Sequence, residues 1–215
     1  MVKQRRPPAP QPKRPVATAP GRSIAAAPAN AARLQAALAK HQRGQLDQAA
    51  ALYEQILQSQ PRNFDALQLL ATIALQRKNS AAAVELFDRA LRIKPDQAAA
   101  LNNRGFALRD LKRSEEALDS YDRALRIRPD FAEALYNRGA ALQDLKRLDE
   151  ALESYDLALR IRPDFAEALY DRGSALVELK RLDEALESYD RALDRAGSCR
   201  RAGRPCRRIA GPHAS

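Results

Sequence analysis

The chain has no tryptophan, one methionine, two cysteines and two histidines among 215 residues, and only 5% of it is aromatic. So few large side chains cannot fill one thick globular centre, so any core must consist of thin helix-to-helix layers. Cys199 and Cys206 have neither the CxxC spacing of a redox pair nor metal ligands nearby, and the tail around them reads as irregular. His41 and His213 have no partner motif. There is no glycine-rich phosphate loop, GxSxG turn or HExxH helix. With no catalytic, metal-ligating or cofactor-binding constellation, the chain reads as a non-enzyme without a cofactor. Also missing is an apolar run near the 18 or so residues that cross a bilayer. The start, MVKQRRPPAPQPKRP, lacks the apolar centre of a secretory signal, so cytoplasm is the expected location.

Acids are absent from both ends. Residues 30–196 hold all 27 Asp and Glu but only 26 of the 37 Lys and Arg, a balance of −1. The overall charge of +10 therefore sits on the two ends. A folded basic face for duplex DNA is disfavoured, whereas nonspecific, salt-sensitive contacts of the tails with polyanions remain open.

What the chain does contain is a period. The stretch Ala132 to Phe165 is its unit, and steps of about 34 residues connect Pro61, Pro95, Pro129 and Pro163. Small residues recur at Ala37, Ala71, Gly105, Gly139 and Gly173, and again at Ala49, Ala83, Ala117, Ala151 and Ala185. An aromatic series runs Tyr53, Phe87, Tyr121, Tyr155, Tyr189, followed by Ile56, Ala90, Ala124, Ala158, Ala192. Within one unit, Leu135, Gly139, Leu142 and Leu145 share a helical stripe, and Ala151, Leu152, Tyr155, Ala158 and Leu159 share another. Each unit is thus a helical hairpin in which small residues let two backbones approach and an aromatic ring fills the gap between them. Pro163 closes the second helix, while Asp130 with Glu133, and Asp164 with Glu167, have the spacing of a capping box for the next first helix.

These registers resemble the tetratricopeptide repeat, with units at 30–63, 64–97, 98–131, 132–165 and 166–196. The resemblance implies an all-α fold, an α-solenoid of five hairpins in a right-handed superhelix, whose first helices line a concave groove. Residues 1–29, rich in Pro, Ala and Arg, and 197–215, basic and irregular, are expected to be disordered. Where another repeat should follow, the chain reads DRAGSCRRAGRPCRRIAGPHAS. A shifted reading frame or truncation of a longer protein explains that break, and an ordinary disordered tail explains it equally. Without a following repeat, Leu182, Ala185, Leu186, Tyr189 and Leu193 are expected to be partly uncovered.

The family's groove positions fall here on Asn102, Asn103, Phe106 and Asp110, then Tyr136, Asn137 and Asp144, then Tyr170, Asp171 and Glu178. Asn103 and Asn137 are similar to the asparagine ladder of protein O-linked N-acetylglucosamine transferases, whose amides hold a peptide main chain. An amide both donates and accepts, so it can pair with an extended backbone regardless of sequence. Gln35, Leu69 and Asp171 interrupt the ladder. Asp110, Asp144 and Glu178 give an acidic line favouring neutral or basic peptides. Arg104, Arg138 and Arg172 read as edge packing, stems covering the hairpin and guanidiniums reaching water. The leading function is a protein-interaction scaffold binding a partner's peptide segment in the groove. Alternatives are the targeting arm of a glycosyltransferase whose catalytic domain lies elsewhere, and self-association through the uncovered last hairpin.

Overall fold

The computed structural model describes residues 26–201, with side-chain surroundings for 29–194. Cys206 and His213, the N-terminal tail up to residue 25, and the side chain of Cys199 lie outside what is described. Ten helices run along the described residues as five hairpins. They are α1 (Ala26–Gln42) and α2 (Leu46–Ser59), α3 (Phe64–Gln76) and α4 (Ser80–Leu91), α5 (Ala98–Asp110) and α6 (Ser114–Ile127), α7 (Ala132–Asp144) and α8 (Leu148–Ile161), and α9 (Ala166–Glu178) and α10 (Leu182–Arg201). Each packs on the next in chain order, and first helices of successive hairpins also touch, as α3 with α5, α5 with α7 and α7 with α9. Second helices make no comparable contact with one another among the described residues. The stack therefore bends toward its first helices. It is an α-solenoid with the expected hairpins, although α1 starts at Ala26 and the backbone of α10 stays helical to Arg201.

The crossing inside each of the last three hairpins depends on a missing methyl group. A Cβ on Gly139 would stand 2.6 Å from Cε1 of Tyr155, one on Gly105 2.6 Å from Cε1 of Tyr121, and one on Gly173 2.7 Å from Cε1 of Tyr189. Tyr121 and Tyr155 are wholly buried, so these rings cannot swing out to make room. In the first two hairpins alanine takes the same register, Ala37 with Tyr53 and Ala71 with Phe87, again fully buried.

The turn between the two helices of a hairpin has a feature that the periodicity did not reveal. Lys78, Lys112, Lys146 and Lys180 adopt left-handed φ values of 56° to 61°, and Gly44 takes the same place in the first hairpin at 74°. In each turn two backbone bonds close a Schellman motif, as where Arg147 N donates to Leu142 O at 2.9 Å and Lys146 N to Gln143 O at 3.0 Å. Lysine in that conformation costs roughly 1 kcal/mol relative to glycine. The helix that follows must offset that cost by packing.

The capping boxes expected at Asp130 with Glu133 and Asp164 with Glu167 do not form. Helices α7 and α9 begin one residue later, with Phe131 and Phe165 at the cap positions and no side-chain cap. The rings are held there by arginine: the Arg128 guanidinium lies 3.3 Å from the Phe131 centroid and that of Arg162 3.4 Å from Phe165. Glu133 instead receives Arg162 at 2.7 Å. True side-chain caps occur earlier, where Asn63 accepts from Ala66 N at 3.0 Å and Asn79 from Ala82 N at 3.2 Å.

Replacing Gly139 with valine should lower stability by about 1–3 kcal/mol in urea denaturation, with part of the loss recovered by adding Tyr155→Leu. Equal losses from the valine with and without the second change would contradict the crossing described here.

Candidate functional site

Between neighbouring hairpins, the arginines expected to reach water are turned inward. Arg104 donates from Nε to Asp88 of the preceding hairpin at 2.6 Å and from Nη1 to Ser120 of its own second helix at 2.6 Å. The same clasp recurs as Arg138 with Asp122 and Ser154 (2.7 Å each) and as Arg172 with Asp156 and Ser188 (2.6 and 2.5 Å). The arginine side chains are only 17%, 25% and 19% exposed. Each serine passes the network on by donating to the carbonyl four residues back, as Ser154 does to Glu150 O at 2.9 Å. Ser120 and Ser154 are fully buried, so the guanidinium satisfies a hydroxyl that water cannot reach. These arginines tie hairpin to hairpin and are not available to a ligand.

On the opposite side, the first helices carry the expected groove residues. Asn102, Asn103 and Phe106 of α5 and Tyr136 and Asn137 of α7 converge on one open cleft of about 670 Å³. Glu133 of α7, with Arg162, Asp164, Phe165 and Glu167 at the junction into α9, complete its wall. The periodicity had assigned Asp164 and Glu167 to helix capping, and nothing in their spacing marked them as part of a cleft wall. Because helices α7 and α9 start late, the Phe165 ring is free to pack on Tyr136, centroids 4.9 Å apart, forming the cleft's aromatic floor. Phe106 is 46% exposed at its edge.

A lateral chain of polar contacts runs along this surface. Asn137 Nδ2 donates to Asn102 Oδ1 at 2.9 Å, and Asn102 Nδ2 donates to Asn103 Oδ1 at 3.2 Å. One hairpin further, at the same register, the Tyr136 hydroxyl donates to Asp171 Oδ2 at 2.8 Å. Thus the asparagine ladder is partly bonded to itself, fixing its rungs. Asp171, Tyr170, Asp110, Asp144 and Glu178 are not brought into the cleft. Tyr170, 37% exposed, leans on Tyr189 with centroids 5.4 Å apart.

Of the acidic line expected from Asp110, Asp144 and Glu178, the last two are already paired with cations within the chain, and Asp110 accepts a hydroxyl instead. Arg109 Nε donates to Asp144 at 2.8 Å, Lys146 and Gln143 donate to Glu178 at 2.6 and 3.2 Å, and the Ser80 hydroxyl donates to Asp110. The contacts with Lys146 and Gln143 hold the Glu178 carboxyl below its ordinary range. Unpaired acids stand elsewhere. Among the described residues, Asp164 and Glu167 of the cleft wall make no ion pair.

At the last hairpin, Leu182, Leu186 and Leu193 are 63%, 62% and 66% exposed, whereas Leu152 and Leu159, the interior counterparts of Leu186 and Leu193, are 7% and 8% exposed. Ala185 does not belong to that uncovered face, being buried against α9, and Tyr189 is half-buried over Gly173.

Models of the tetratricopeptide repeat match residues 34–98 and 157–198, and 132–165, and a further TPR repeat model matches 107–146. The chain belongs to the tetratricopeptide repeat family. No curated protein matches it. Among solved structures it is similar to MamA from Desulfovibrio magneticus RS-1, at 18% identity and a TM-score of 0.74, covering 79% of this chain and 96% of that one. It is also similar to YrrB, described as a TPR protein with an unusual peptide-binding site, at 24% identity and a TM-score of 0.66, covering 76% and 84%. PilF of Pseudomonas aeruginosa is similar at 25% identity and a TM-score of 0.70, covering 79% and 78%. These family models do not tie the repeats to those of glycosyltransferases. No described helix is long and apolar enough to cross a membrane.

Burial raises the Asp171 carboxyl above its ordinary value, opposed by the Tyr136 hydroxyl and the Arg109 charge. A raised acid contributes its stability in full below the unfolded value, about 3.9, and loses it as pH rises through the folded one. Asp171→Asn, which matches Asn103 and Asn137 and keeps an acceptor for Tyr136, should therefore stabilise the chain near neutral pH. The gain should vanish in denaturation curves taken below the carboxylate range; a gain of the same size at both pH values would contradict the burial argument.

Proposed function

We propose that this chain is a non-enzymatic, cytoplasmic protein-interaction scaffold whose first-helix cleft receives an extended segment of a partner protein. The observation that carries this reading is the convergence of Asn102, Asn103 and Asn137 from two successive first helices, together with the exposed ring of Phe106, on one cleft of about 670 Å³. Amide groups on consecutive rungs match the alternating donors and acceptors of an extended main chain. The Asn137 to Asn102 bond presets the rung spacing, so less order is lost on binding. Phe106 supplies an apolar seat for one side chain of the segment, and the unpaired Asp164 and Glu167 favour a neutral or basic one. The description of YrrB as a peptide-binding TPR protein agrees in kind.

The test is capture of partners identified by proximity labelling of the wild-type chain, compared with Asn103→Ala combined with Asn137→Ala. Each lost amide contact should remove about 0.5–1.5 kcal/mol, so the double variant should bind roughly 5- to 150-fold more weakly with unchanged helicity. Unchanged capture would refute the cleft assignment.

A further inference from the structure

A second cleft, of about 490 Å³, shares no residue with the first. It is lined by Pro61 and Arg62 from the turn between α2 and α3, Leu67 of α3, and Arg89, Arg92 and Ile93 at the end of α4. Three arginines thus line one cleft with the apolar Pro61, Leu67 and Ile93, and no acid lines it. Arg62, Arg89 and Arg92 are all exposed, and among the described residues none of them forms an ion pair within 4.0 Å. Of the neighbouring acids, Asp88 is held by Arg104 at 2.6 Å, while Asp65 and Glu85 are exposed outside the lining.

The repeat register shows how unusual this is. The position of Arg62 is occupied in the next three junctions by Asp96, Asp130 and Asp164. At the second junction, where Arg123 and Arg126 match Arg89 and Arg92, an aspartate thus stands where the first junction has a third arginine. At the third, Leu157 and Arg160 take those places. Electrostatics makes the exception costly. Each of these turn residues directly precedes a first helix, where the helix dipole favours an anion, so Asp96 suits its place and Arg62 opposes it. Arg89 and Arg92, near the C-terminal end of α4, agree with their own helix dipole but repel Arg62. A bound anion would relieve both conflicts.

We propose that this cleft binds a phosphate monoester dianion, carried either by a small molecule or by a phosphorylated side chain. Guanidiniums pair with phosphoryl oxygens in forked, charge-assisted hydrogen bonds, and three of them match a doubly charged group with three terminal oxygens. Pro61, Leu67 and Ile93 form the surface on which the carbon skeleton bearing the phosphate rests.

The experiment is calorimetric titration of the full chain with inorganic phosphate and with O-phosphoserine, at constant ionic strength. Saturable binding should weaken about tenfold or more in Arg62→Asp, a change that installs the residue already present at the other junctions and so preserves the fold. Arg126→Asp, which alters charge equally at the next junction, should bind as the wild type does. Equal affinity for the two probes would identify free phosphate as sufficient, and tighter O-phosphoserine binding would identify a phosphorylated carrier. Absence of saturable binding, or equal weakening by both substitutions, would overturn the proposal.

Discussion

Everything in this molecule is spaced by the contact of an aromatic ring with a residue that has almost no side chain. At Gly105, Gly139 and Gly173 the facing ring carbon occupies the volume that a Cβ would need. That contact sets how closely the two helices of a hairpin cross, and so where the next hairpin can seat. Because interiors are close-packed, the distance is not negotiable by small side-chain movements. Each hairpin places one ring where it sets this geometry, and Tyr53, Phe87, Tyr121 and Tyr155 are all fully buried there.

Charge does the corresponding work between hairpins. The clasps of Arg104, Arg138 and Arg172 each join one hairpin to its predecessor and satisfy a buried serine hydroxyl. Arg109 with Asp144, and Lys146 with Glu178, reach from one hairpin to the first helix of the next. These half-exposed pairs add register more than energy. Their consequence for function is indirect: with the internal charges committed, the polar groups turned toward the cleft are mainly amides, an aromatic edge and the two unpaired acids of its wall.

The hairpins were legible in the amino-acid order because the constraint that builds them is a residue type at fixed spacing, small against aromatic. The inner helix face came from the resemblance to the family, and of its ten positions Asn102, Asn103, Phe106, Tyr136 and Asn137 line one cleft while the other five do not. What escaped were features decided by three-dimensional competition. Asp164 has the spacing of a cap, but stacking of Phe165 under Arg162 takes the cap position for itself. Arg138 reads as a surface residue, and only the neighbouring hairpin supplies the Asp122 that draws it inward. Lys146 carries no mark of a left-handed turn, since glycine is the residue that signals one. Nor does a carboxylate such as Asp144 announce that Arg109, one hairpin away, will neutralise it.

If stability resides in contacts between neighbours, protection should follow position in the stack and not helix length. Native-state amide hydrogen exchange, resolved by residue, measures this directly. Exchange should be slowest in α3 to α8, whose hairpins have neighbours on both sides, and faster in α10, despite its 20 residues, because no described helix covers Leu186 and Leu193. Protection of α10 equal to that of α6, or uniform protection along the chain, would contradict it.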